Sequence, residues 1–325
     1  MLKNDNFFKI FFKNKIEFRR NLIKTKKAFN YLLSDLKYSN IPFLETYEKN
    51  YEFGFSNSTI KKFNQYKNII IIGMGGSILG TKSIYSFLKK KIKKKIFFFD
   101  NLDSNLYLEY KKIKNLKNSC FIVVSKSGNT LETITNLKII YSKKLLKNKL
   151  IIISEISNNE LMKIANKYDA EIIEHRNFVG GRYSVMSESG MFPAALMGLQ
   201  IKKFKNLNFL LKNKNFVSNL IQNVATIFTL NSHGVKNSLI FNYDSELNDL
   251  GYWYQQLIAE SLGKKGKGVN PMLSFGPKDH HSLLQLYLDG PKDKFFTFFS
   301  SAEKNSKYKN LDSIIRAQCE ATKNI

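Results

Sequence analysis

The sequence predicts an α/β protein of two parallel-sheet domains preceded by a helical arm. Three observations predict it: short β-rich runs alternating with helical patterns from Asn68 onward, glycine-marked turns after those runs, and a length suited to two cores rather than one. The chain has 325 residues, 43% hydrophobic and 14% aromatic, with only five prolines. That is ample apolar surface for packed interiors, unlike compositions that stay unfolded.

Residues 1 to about 45 read as helix, with apolar positions Phe18, Leu22, Ala28, Leu32, Leu33 and Leu36 set between lysines and Pro42 closing the segment. This is the arm, 1–45. The first sheet domain, 46–200, holds the runs IIIIG, IFFFD from Ile96, CFIVV from Cys120, LIIIS from Leu150 and EIIEH from Glu171. Continuous apolar strands separated by helices make a parallel sheet covered on both faces. A second α/β unit, 201–325, opens with a helix pair rich in lysine and asparagine. It continues with SLIFNYD from Ser238, a long helix, and FFTFFS from Phe295, and it closes on one last helix. Two convincing strands cannot cover their own faces, so this domain is expected to be incomplete.

The 52 basic and 26 acidic residues leave a formal charge of +26, which raises nucleic acid or an anionic membrane as partners. The excess is nearly all lysine; arginine occurs only at Arg19, Arg20, Arg176, Arg182 and Arg316, and arginine is what bidentate phosphate and base recognition favours. The densest run, KKKIKKK from Lys89, falls where a helix ends before a strand, and cations at a helix C-terminus explain it. Neither nucleic acid nor membrane is expected as a partner. The longest apolar stretch, NIIIIGMGGSILG from Asn68, is shorter than the ~18–20 residues of a membrane helix. The amino end lacks the apolar core and cleavage site of a secretory signal. Cys120 and Cys319 stand alone, without CxxC or Cys/His spacing, so no disulfide scaffold or structural zinc is expected and a cytoplasmic location is.

Five segments carry the chemistry. In IIIIGMGGSILG, Gly73, Gly75 and Gly76 lie between a buried strand and a helix starting near Ser77. Such a turn brings bare backbone to an anion or a sugar hydroxyl, and it serves equally as a structural tight turn, since neither GxGxxG nor GK[ST] spacing is present. In SKSGNTLET, Ser125, Lys126, Ser127 and Thr130 surround Gly128. Helix capping needs one such side chain, whereas hydroxyls converging on a helix start are what a phosphate monoester needs. In FVGGRYSVMSESG, Arg182 follows two permissive glycines, as a fixed planar cation facing an oxyanion would, or as a surface ion pair. Finally, QQLIAESLGKKGKG places Glu260 near a helix end among lysines, where a surface pair is the ordinary reading. GPKDHHSLLQLYLDG places His280 and His281 side by side, too close in sequence for a metal pair on one helix face. One of the two suits a general acid or base; a core or capping histidine is the ordinary alternative.

Together, from about residue 50 to 300, these segments resemble the glucose-6-phosphate isomerase family of the sugar isomerase (SIS) superfamily. GMGGSILG is similar to its first glycine loop, SKSGNTLET to its phosphate loop and VGGRYSVMSESG to its arginine signature, followed by AESLGK and HHSLLQL. The resemblance implies two SIS-type three-layer α/β/α domains and the reversible interconversion of glucose 6-phosphate and fructose 6-phosphate by ring opening and an enediolate. It implies that Ser125, Ser127 and Thr130 hold the phosphate, with Lys126 near the sugar and Gly76 and Ser77 along its hydroxyls. The resemblance further implies that Arg182 steadies the enediolate, Glu260 is the base, Glu132 positions the sugar and His281 opens the ring. The family needs no metal or nucleotide cofactor and donates that histidine across a homodimer interface, so a homodimer is implied.

Two departures qualify the resemblance. Nothing like the family's QxxGVExxK helix follows His281, so the chain is expected to be truncated and its activity impaired. Glu188 stands where the signature has a small residue and is expected to reshape one helix. The alternatives are a related isomerase that also accepts mannose 6-phosphate, and a sugar-phosphate-binding SIS protein without turnover.

Overall fold

A computed structural model describes residues 15–38, 41–113, 115–140, 147–205, 208–301 and 308–325. It divides into two compact units, one made of 46–205 with 246–257, the other of 1–45, 206–245 and 258–325. The arm forms α1 (Lys15–Lys37); the expected helix before Lys15 lies outside the described residues. Pro42 does not close this helix but opens a separate 3-10 turn, Pro42–Tyr47. Nor is the predicted apolar stripe buried throughout, since Leu32 and Leu33 are more than a third exposed.

The first unit follows α2 (Asn57–Asn64) with five strands: β1 (Asn68–Gly73), β2 (Lys95–Phe99), β3 (Ser119–Val124), β4 (Leu150–Ser154) and β5 (Glu171–Glu174). All five expected runs are strands. They pair in parallel in the order β2-β1-β3-β4-β5. Between them run α3 (Leu79–Leu88), α4 (Ser104–Lys111), α5 (Leu131–Ile140) and α6 (Glu160–Tyr168), and α7 (Glu188–Leu196) follows β5.

Strand alternation builds two cores. Ile70, Ile72, Phe121, Val123 and Ile152 point to one face, packed with Leu137 and Ile140 of α5 and Leu161 of α6. Ile69, Ile71, Ile122, Val124 and Ile153 point to the other, packed with Phe63 of α2 and Phe192 of α7. Each fully buried isoleucine contributes on the order of 1.5–3 kcal/mol, which fixes the strand register.

The second unit contains α8 (Asn208–Lys212) and α9 (Lys214–Ser232). The arm packs along α9: buried Asn21 Nδ2 donates to Thr229 Oγ1 at 2.9 Å, and Glu17 accepts from Ser232 Oγ at 2.6 Å. After β6 (Asn237–Asn242) comes α10 (Asn248–Leu262), whose first ten residues belong to the first unit. Then follow β7 (Asn270–Phe275), α11 (Leu284–Asp289), β8 (Lys294–Phe299) and α12 (Lys309–Asn324).

Among the described residues the sheet here has three parallel strands, ordered β7-β6-β8, where the sequence predicts two. The extra strand, β7, reads NPMLSF: an edge strand with a proline near its start and a half-exposed surface, hence no continuous apolar run. Leu239, Phe241 and Tyr243 on one face pack with Tyr287 of α11 and Cys319 of α12. Among the described residues no helix is long and apolar enough to cross a membrane.

Candidate active site

Parallel pairing sets the first two loops side by side. Gly73, the last residue of β1, is in register with Val124, the last of β3, so the glycine turn and the Ser125–Thr130 loop leave the sheet at the same level. This is the carboxyl edge where open α/β sheets bind ligands.

The glycines of the first turn are there for different reasons. Gly75 has φ +52°, and a Cβ on it would meet Gln256 Nε2 at 3.0 Å. A Cβ on Gly76 would lie 2.3 Å from the Gly181 carbonyl carbon and 2.5 Å from Arg182 N. No side chain fits, so the first turn and the arginine turn, Gly181–Met186, touch backbone to backbone. Ser184 Oγ reinforces the contact, donating to Gly181 O at 2.8 Å and Gly76 O at 3.3 Å. Trp253 Nε1 of α10 donates to Arg182 O at 3.2 Å, and the Arg182 guanidinium sits 4.6 Å from the Tyr183 ring centroid.

In the second loop, Ser125 is buried and its hydroxyl lies 2.8 Å from Thr130 Oγ1, next to the first turn of α5. Ser127 is exposed and its Oγ accepts from Asn129 N at 3.3 Å. Gly128, at φ +66°, leaves no room for a Cβ above the Asn159 amide. Hydroxyls and amides thus gather at the head of a ten-residue helix, where the positive end of the helix dipole favours an anion. Glu132 stands in the first turn of α5. Lys126 Nζ donates to Asn177 O at 2.6 Å and lies 3.6 Å from Glu155, on the side of a polar pocket of about 500 Å³ lined by Glu155, Ser157, His175 and Arg176.

Behind the arginine turn lies a buried charged clamp. Glu188 is fully buried; it accepts from Tyr51 OH at 3.0 Å and Gly54 N at 3.1 Å, with Arg176 Nε 3.9 Å away. Lys205, also buried, donates to Met186 O at 2.5 Å and to Thr46 O, and its ammonium lies 4.6 Å from the centroids of both Tyr51 and Phe53. Burial pulls its pKa down to about 8, against the opposing pull of Glu188. Glu188 therefore does more than reshape α7: it fastens the segment after the arginine turn to residues 51–54. Sequence reasoning missed Lys205, which nothing distinguishes from the other lysines. It also missed Gln256 and Trp253, whose only signal is their place on the helix that carries Glu260.

The other two expected catalytic residues belong to the second unit. Glu260 is exposed in the last turn of α10, four residues past Gln256 and therefore on the same helix face. His281 is exposed in the turn after β7, while His280 is tucked inward against Tyr243 and Thr322. Among the described residues no cluster of three or more His, Cys, Asp or Glu side chains could hold a metal ion.

The phosphoglucose isomerase family matches residues 50–280. The chain is 38% identical over 247 residues to a glucose-6-phosphate isomerase of Methanocaldococcus jannaschii, and 35% identical over 295 residues to a probable glucose-6-phosphate isomerase of Methanococcus maripaludis. These matches take in 73% and 83% of this chain but only 61% and 66% of the relatives' length. In fold it is similar to a glucose-6-phosphate isomerase from Chlamydia trachomatis, with a TM-score of 0.66, 20% identity, and coverage of 81% of this chain and 57% of that one. A hypothetical protein from Thermus thermophilus has a TM-score of 0.71 at 20% identity, covering 94% of this chain and 81% of the other.

Proposed function

The chain belongs to the phosphoglucose isomerase family, and from that premise we propose that it interconverts glucose 6-phosphate and fructose 6-phosphate. The observation that carries the reading is the contact of Gly76 with the Gly181–Arg182 backbone. It holds an always-charged guanidinium turn against the first glycine turn, whose strand leaves the sheet level with the hydroxyl cradle.

In this reading the phosphate sits on Ser125, Ser127, Thr130 and the amides heading α5. Its binding energy, remote from carbons 1 and 2, orients the sugar chain. The substrate is a closed ring, so His281 protonates the ring oxygen while water takes the proton of the carbon 1 hydroxyl; the bond from carbon 1 to the ring oxygen breaks and leaves a carbonyl at carbon 1. Glu260 then removes the proton from carbon 2 and returns it to carbon 1, while the carbon 2 hydroxyl proton passes to oxygen 1, the logic of a carboxylate base acting beside a carbonyl. Arg182 stabilises the enediolate oxygen and cannot itself lose a proton. Glu132, Gly76 and Ser77 line the sugar hydroxyls, and Lys126 stands by the sugar once released from Asn177 O. The active form is a cytoplasmic homodimer in which each subunit lends His281 to its neighbour.

The test is isomerisation of fructose 6-phosphate by the parent, Glu260→Gln and Arg182→Ala. Each variant is expected to lose about 10²- to 10⁴-fold in kcat. Equal rates in all three would defeat the assignment. Sugar-phosphate binding by the parent without turnover would favour a binding protein instead.

A further inference from the structure

We infer that His280 is a positioning residue for His281: its ring, locked between Tyr243 and Thr322, anchors the turn after β7 and leaves the adjacent imidazole presented to solvent. This rests on the catalytic reading of His281 above. The turn is pinned on both sides of the pair. Asp279 accepts from Phe275 N at 2.6 Å, Ser274 Oγ at 3.0 Å and Ser282 Oγ at 3.1 Å. A Cβ on Gly276 would strike the Tyr243 ring at 2.4 Å, so the chain presses directly on that ring. The His280 imidazole itself meets Phe241 edge-on at 5.5 Å and Tyr243 at 5.6 Å between centroids.

Counting protons fixes how the ring is held. His280 Nε2 lies 2.6 Å from Tyr243 OH and 3.1 Å from Thr322 Oγ1, while Tyr243 OH lies 3.0 Å from Thr322 Oγ1. The Thr322 hydroxyl proton is committed to Gln318 O at 2.7 Å. Two bonds, Tyr243 to Thr322 and His280 to Tyr243, then remain for a single tyrosine proton. Both form only if Tyr243 donates to Thr322 and His280 carries its own proton on Nε2, donating to Tyr243 OH. The alternative tautomer sets two oxygens 3.0 Å apart with no proton between them. Burial also holds the His280 pKa below its ordinary value, so the ring is neutral near pH 7. What the anchor requires is therefore a neutral N–H donor at this point, tied to the end of β6 through Tyr243 and to α12 through Thr322. A ring satisfied in this way turns inward, and the next residue along the turn, His281, is exposed.

The anchor predicts which replacements work. Glutamine places an N–H donor at a similar reach and should restore the turn; alanine and phenylalanine should not. The experiment uses the full ¹⁵N-labelled chain. Long-range ¹H–¹⁵N spectra should show His280 as the Nε2–H tautomer. The His281 amide order parameter should sit near ~0.85 in the parent and in His280→Gln, and fall below ~0.6 in His280→Ala.

Ring opening, followed as anomer exchange of glucose 6-phosphate, should lose at least about tenfold in rate with KM within about twofold in His280→Ala. Should that variant fail to fold, Tyr243→Phe, which keeps the ring and removes only the hydroxyl, carries the same expectation. An Nδ1–H tautomer, or an unchanged His281 order parameter in a folded variant, overturns the inference. So does ring opening lost in His281→Ala but intact in His280→Ala. If His281→Ala leaves ring opening unchanged while the order parameters behave as expected, the catalytic reading of His281 fails and the anchoring stands.

Discussion

At Gly76 and Lys205 single atoms decide the geometry of the arginine turn. A methyl on Gly76 has backbone 2.3 Å away and no flexible side chain to displace, so Gly76→Ala must move one turn off the other. We expect a loss of ~1–3 kcal/mol in unfolding free energy together with weakened turnover; an unchanged melting curve would contradict the contact. Lys205 gives a pH signature. Its folded pKa of about 8 lies below the ordinary lysine value of 10.5, so between those values the unfolded chain binds more protons than the folded one. Stability from this group therefore rises with pH across that window. Denaturant unfolding at pH 8 and 9.5 should show the rise in the parent and not in Lys205→Met. The close approach at Gly76 was legible in the sequence as a glycine turn, but its partner backbone and the role of Lys205 were not. The SxSGxT hydroxyls and the arginine between glycines could be read, because their residue types are demanded by anion chemistry. A lysine that donates to Met186 O is indistinguishable, in one dimension, from a solvated one.

Among elements, the strands that read most clearly were those buried on both faces. β1, NIIIIG, and β3, SCFIVV, carry unbroken apolar runs of four and five residues, the pattern of a parallel strand covered on both faces. β7 escaped because an edge strand has neighbours on one side only and tolerates Pro271 and an exposed Met272. The stripe of α1 is covered only in part: helical periodicity shows which residues share a face but not how much of that face is buried.

The same contrast yields a prediction about chemistry. Cys120 is fully buried in β3 and burial pushes its thiol up to about 12. Its thiolate is scarce and out of reach, so native protein at pH 8 should alkylate at Cys120 only through unfolding of the strand. Labelling as fast as a free peptide thiol would mean that β3 is not a central strand.

For the whole molecule, the two thiols lie in different compact units, Cys120 in the first and Cys319 in the second, both buried. Mass-spectrometric labelling along a urea gradient therefore reads the opening of each unit separately. The larger first core, with its doubly covered sheet, is expected to open at higher urea than the three-stranded unit. In the proposed function a sugar phosphate is held by uncharged donors heading α5. Titrating fructose 6-phosphate while following its ³¹P resonance tests that directly. The parent should bind, inorganic phosphate should compete, and Ser127→Ala/Thr130→Val should weaken binding by about tenfold or more, since each charge-assisted bond is worth ~1.5–3 kcal/mol. Equal affinity in the parent and the double variant would mean that these hydroxyls do not hold the phosphate.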